Sequence, residues 1–150
     1  MAITGVARLE RFFRRAASLD VDRADLRRFE VFIERKINDL LLVAQANAKA
    51  NSRDVLQLHD LPIGAGLQEC MHAFRVIDRE VVDLEPILRS YKLNPQIDLA
   101  SGEALTDELP MVAGGLGVAL ARTFKEIWPD LRNPQTKHWD MAFRLFDLLL

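Results

Sequence analysis

Between Asp22 and Ala50 the sequence contains neither Gly nor Pro, while Leu26, Phe29, Ile33, Ile37, Leu40, Leu41, Ala44 and Ala48 recur at helical spacing. At ~1.5 Å per residue these 29 residues make a rod roughly 43 Å long. The mean globular helix has only ~11–12 residues. A rod of that length with a continuous apolar face needs other elements laid across it on both sides. Ahead of it, Thr4 to Ala17 reads as a first helix burying Val6, Leu9, Phe12, Phe13 and Ala16. Ser18–Asp22 is then a short loop. Asp22 followed three residues later by Asp25 has the form of a capping box, and acidic residues in a first turn suit the helix dipole.

Asn51–Asp54 ends the rod, and Val55–Leu58 is short, β-prone and extended. Asp60-Leu61-Pro62 starts a third helix with Pro in the first turn, where its missing N–H costs little. That helix buries Ile63, Leu67, Cys70, Met71, Phe74 and Ile77 and runs to about Glu80. The order then recurs. Val82–Tyr91 is a short helix, residues 92–98 a loop, and Leu99–Trp128 a second long stretch with Pro110 as a kink or restart. Residues 129–134 form a turn before a final helix from Gln135 to Leu149. The plan is short–long–medium, twice, on one compact domain of residues 1–150, with units at 4–80 and 82–149.

Composition narrows the functional classes. The chain has 7 Gly, 6 Pro and 1 Cys in 150 residues, which excludes collagen-like and disulfide-stapled scaffolds. No apolar run reaches ~18 residues, and charges at Arg8, Glu10 and Arg11 interrupt any secretory signal. A cytoplasmic globular protein with no membrane role is expected. The net charge of −2 does not by itself suggest a nucleic-acid binder, although residues 1–75 carry +2 and residues 76–150 carry −4.

One local feature sharpens the fold expectation. Arg53, at the start of the second loop, precedes Asp60 by seven residues, with apolar Val55 between them. Together with Asp60-Leu61-Pro62-Ile63 and Asn133-Pro134-Gln135-Thr136, this resembles the histone fold. The whole chain is similar to the prokaryotic family of tandem, or doublet, histone-fold proteins, whose function is unassigned. The resemblance implies an all-α histone fold doublet in which two units form a handshake pseudodimer within one chain. It also implies an Arg53–Asp60 clamp, a forked guanidinium on a carboxylate at a helix N-terminus. Asp140 is the second-half counterpart, with Asn133 seven residues before it and Arg132 one residue off register. The pairing would set Val55–Leu58 beside Pro95–Asp98, and Asp20–Asp22 beside Gln135–Lys137. Burying each Leu or Phe at the crossing contributes ~1.5–3 kcal/mol.

Enzyme chemistry finds little support. His59, His72, His138 and Cys70 match no metal spacing, and no cofactor is expected. Gly114-Gly115-Leu116-Gly117 lacks a preceding strand and the spacing of a phosphate loop; small residues there fit close helix approach where the rods cross. No nucleophile–base set is arguable, and no small-molecule substrate is evident. Two readings remain. In the first, Arg23, Arg132 and Lys137 at one loop end, Arg53 and Lys92 at the other, and Arg14, Arg15 and Arg89 at the centre touch duplex DNA phosphates without sequence preference. In the second, the protein is an interaction or assembly module, pairing with itself or another protein and having no nucleic-acid role. A charge run is otherwise a solvated face.

Overall fold

The computed structural model describes residues 2–91 and 99–150. Helix α1 spans Ala2–Ala17 and α2 spans Arg23–Ala50, within one residue of the expected rod. The capping box is present: Asp25 N donates to Asp22 Oδ1 at 3.1 Å and Asp22 N donates to Asp25 Oδ2 at 3.0 Å. Both helices end on a left-handed serine, Ser18 at φ 54° and Ser52 at φ 55°, which turns the chain out of the helix. Strand β1 is Val55–Leu56.

The third helix differs from expectation. Leu58–Asp60 forms a 3₁₀ turn, Leu61 is extended, and α3 runs only from Ala65 to Ile77. The turn aims the Asp60 carboxylate back at Arg53, and Asn47 Nδ2 fixes the Asp60 carbonyl at 2.9 Å. Helix cannot propagate from Asp60 in that geometry, so Pro62 lies in the linker, not in a first turn. A π turn, Asp78–Val82, follows α3. The Asp78 carboxylate accepts from Leu84 N and Glu85 N, starting α4 at Glu85–Ser90.

Strand β2, Ala100–Ser101, delays α5 to Glu103–Ile127. Helix α5 continues through Pro110 without restarting, because the buried Leu105, Pro110 and Val112 anchor both sides of the lost backbone bond. Helix α6 is Thr136–Leu149. The expected order short–long–medium is observed in the second half, α4–α5–α6; in the first, α1 has 16 residues and α3 only 13, so the plan shared by both halves is a long helix between two shorter ones.

The two halves share one core. Helix α5 touches α1, α2, α3, α4 and α6, and α3 lies along much of its length. Phe13 of α1 meets Phe29 of α2 at 5.4 Å and Trp139 of α6 at 6.1 Å between ring centroids; Trp139 meets Phe124 of α5 at 5.1 Å. These edge-on rings join the halves through groups that are almost fully buried. The glycines of α5 chiefly seat α3, which differs from the expected crossing of the rods. A Cβ at Gly114 would enter the Phe74 ring, and one at Gly115 would strike Met71; only Gly117 faces α2, through Phe29, together with Phe12 of α1. By length and composition α5 is apolar enough to cross a membrane, yet 61% of its most apolar window is buried inside the fold.

The halves also meet at two loop junctions. β1 pairs in parallel with β2, Val55 opposite Ala100 and Leu56 opposite Ser101, and Gly102 N donates to Leu56 O at 2.8 Å. The expected partners of β1, residues 95–98, lie outside the described residues. At the other junction Asp20 N donates to Arg132 O at 2.6 Å, three residues before the expected Gln135. Arg28 Nη2 reaches Thr136 Oγ1 at 2.6 Å, so the second turn of α2 is tied to the start of α6.

Candidate nucleic-acid interface

The loop after α2 is held by one charged fork. Arg53 Nη1 donates to Asp60 Oδ2 at 2.7 Å and Nη2 to Oδ1 at 2.5 Å. Asp60 also accepts from Gln57 N at 2.8 Å. Its side chain is 2% exposed, and Arg53 holds the carboxyl pKa down to about 2. Both oxygens are therefore occupied, and the guanidinium is committed to the fold. Arg53 is a clamp residue and offers little to a phosphate.

The second clamp takes another form. Asp140 is exposed and makes no ion pair among the described residues, so its expected clamp role is corrected. The residue in the place of Asp60 is His138: Gln135 N donates to His138 Nδ1 at 2.8 Å, as Gln57 N does to Asp60. His138 is buried, and its ring stands edge-on to Trp128 at 4.5 Å. Burial, aided by the Lys137 charge, lowers its pKa. An imidazole packed on an indole stiffens this loop without a cation. The signal was available as Gln-x-x-His at a helix start, repeating Gln-x-x-Asp at residues 57–60.

The structure divides the remaining candidate cations. At the centre, Arg14 pairs with Asp20 at 3.3 Å, Arg15 with Glu80 at 3.5 Å and Arg89 with Glu85 at 2.5 Å. These pairs are solvent-exposed and contribute little stability, but each carries its own counter-charge. Lys92 lies outside the described residues. Arg23, Arg132 and Lys137 are exposed and make no ion pair among the described residues. The Asp20–Arg132 and Arg28–Thr136 bonds bring these three to one end, where α2 and α6 begin. Of the nearby acids, Asp20 is paired, Asp22 caps α2 and Asp25 is buried, while Asp130 is exposed. Burial raises the Asp25 pKa, although Arg28 stands 3.2 Å away.

Nothing comparable supports catalysis. Among the described residues no group of three or more His, Cys, Asp or Glu could hold a metal ion. Cys70 is buried, and desolvation raises its thiol pKa, so it is a poor nucleophile. A depression of about 510 Å³ beside the Arg53 clamp joins apolar Leu58, Leu61 and Ile63 to His59 and the Arg75–Glu108 pair. It contains no nucleophile–base couple. Sequence spacing offered no sign of Lys36, which is 2% exposed and donates to Asp147 at 2.7 Å and Asp39 at 3.1 Å, tying α2 to the end of α6.

Known proteins resemble the chain along almost all of its length. A crystal structure of a Thermus thermophilus protein is 48% identical, matches 97% of both chains and gives a TM-score of 0.85. A 1.9 Å crystal structure of an Aquifex aeolicus protein is 21% identical, covers 97% of this chain and 95% of its own, and gives a TM-score of 0.83. A protein of Aquifex aeolicus strain VF5, described as uncharacterized, is 23% identical over 143 residues, covering 95% of this chain and 82% of that protein. The model of the family described as a domain of unknown function, DUF1931, matches residues 9–147, and the chain belongs to that family.

Proposed function

We propose that the chain is a histone-fold doublet whose loop end at Asp20–Arg132 binds the phosphate backbone of duplex DNA without sequence preference. Three features support the fold reading: a long helix between two shorter ones in both halves, the two loop junctions, and the Arg53–Asp60 clamp. In this reading the units are residues 4–80 and 82–149, and α2 and α5 are the handshake helices. The observation carrying the DNA reading is that exposed Arg23 and Lys137 stand in the first turns of α2 and α6, with exposed Arg132 in the loop that bonds to Asp20. Backbone N–H groups at those N-termini add to the attraction for an anion. The proposal is narrower than the eight-cation surface expected from sequence, since Arg14, Arg15, Arg53 and Arg89 are neutralised within the fold.

Fluorescence anisotropy with a random duplex at ~50 and ~200 mM salt tests it. Three phosphate contacts give a slope near −2.7 and an affinity falling about fortyfold between those salts. Replacing Arg23, Arg132 and Lys137 by Ala abolishes most of that slope. No binding at the lower salt refutes the proposal and leaves the assembly-module reading. Binding with an unchanged slope in the triple variant refutes the assigned surface.

A further inference from the structure

We propose that the groove between α3, α5 and α6 is a self-complementary face that joins two copies of this chain about a two-fold axis. The groove has a volume of about 400 Å³, and Leu67, Cys70, Leu116 and Phe146 line it. Beside the hole stands the knob: Leu149 and Leu150 are on the groove wall, 80% and 43% exposed. Two large leucines left in water beside an apolar hollow form the kind of continuous patch that marks an interaction surface. A two-fold contact requires one patch to carry both a projection and its receptor, and this one does.

The charges select the same occupant. Arg122 and Glu126 line the groove, both are exposed, and neither makes an ion pair among the described residues. They lie four residues apart on one face of α5. When a second α5 runs antiparallel across a two-fold axis between them, Arg122 of each copy faces Glu126 of the other. A partner of uniform charge would satisfy only one of the two. This inference is independent of whether the Asp20–Arg132 end binds DNA, because none of its residues is shared.

Sedimentation velocity of the full chain over ~1–200 µM reads the result directly. The expected outcome is a concentration-dependent shift from monomer to dimer. Leu149→Asp removes the knob, and Gly66→Trp fills open space at the groove wall, since a Cβ at Gly66 meets nothing within 4 Å. Each is expected to remain monomeric, with circular dichroism showing an intact fold. Arg122→Glu places like charges across the axis and weakens the dimer at least about tenfold; adding Glu126→Arg restores it. Three results overturn the proposal: a wild-type chain monomeric throughout, a dimer indifferent to Leu149→Asp and Gly66→Trp, or a charge reversal that its partner does not rescue. A monomer that binds anilinonaphthalene sulfonate, and loses it on Gly66→Trp, overturns it in favour of a small apolar ligand.

Discussion

Adding one methyl group at Gly114 should destabilise this protein, although the same change in most helices would stabilise it. Ala is favoured over Gly in a helix interior by ~1 kcal/mol, so Gly114→Ala gains that amount if α5 is free at this point. In the structure the added Cβ falls within the ring of Phe74, which is 0% exposed. The ring has little room to withdraw, because Phe12 stands 6.0 Å away between centroids. Overpacking of this kind costs typically ~1–3 kcal/mol. Complete expulsion of Phe74 would approach the ~3–5 kcal/mol of a buried Phe→Ala change. Set against the propensity gain of ~1 kcal/mol, this leaves a net loss of up to about 2 kcal/mol, and more if Phe74 is expelled. At this chain length each kcal/mol lowers the melting temperature by ~2–4 °C. Thermal and urea unfolding followed by circular dichroism measure the loss, with Gly66→Ala as a control that should be neutral or stabilising. Phe74→Ala combined with Gly114→Ala should cost less than the two singly. If Gly114→Ala stabilises the protein, α3 does not lie against α5 as described, and the reasoning fails.

Three further outcomes follow from the charged and titrating groups. Asp60 has its pKa depressed to about 2 from 3.8, so its stabilising contribution is complete above pH ~4 and disappears as pH falls towards ~2; the wild-type and Asp60→Asn acid-unfolding curves should converge over that window. His138 also has a lowered pKa. Its neutral form is the one the fold accepts, so its contribution is complete above the ordinary histidine pKa and declines as pH falls below it. A His138→Gln variant should lose this pH dependence, and an unchanged profile would deny His138 the role. Lys36 is buried between Asp147 and Asp39. Asp147→Ala, which leaves its charge less compensated, should destabilise more than Lys36→Met, and urea midpoints showing the reverse order would contradict that arrangement.

How much was legible in the sequence depended on the range of the forces involved. The bounds of α2 were readable because its period, its missing helix breakers and its Asp22/Asp25 cap all act within a few residues. The Arg53–Asp60 pair was legible through the resemblance to the histone fold, which implies that clamp. The start of α3 was misplaced because Pro62 suits a helical first turn, whereas the clamp required a 3₁₀ turn and an extended linker. Asp140 attracted attention as a carboxylate near the expected spacing, but the tertiary position belongs to His138, whose partner is a backbone N–H. The cation surface was the least legible part. That Arg15 meets Glu80, or that Lys36 is buried against Asp147, depends on contacts between distant elements, and no local pattern encodes them.

The structure rests on one arrangement: α5 and α6 of the second half complete the core of α1, α2 and α3 in the first. Residues 1–82 and 83–150, cut at the left-handed Asp83 and expressed separately, test it most directly. Neither piece should unfold cooperatively as a monomer, and mixing them at equal concentration should restore native helical content and a single sharp transition. A cooperative unfolding transition from either piece alone, as a monomer, would contradict the shared core.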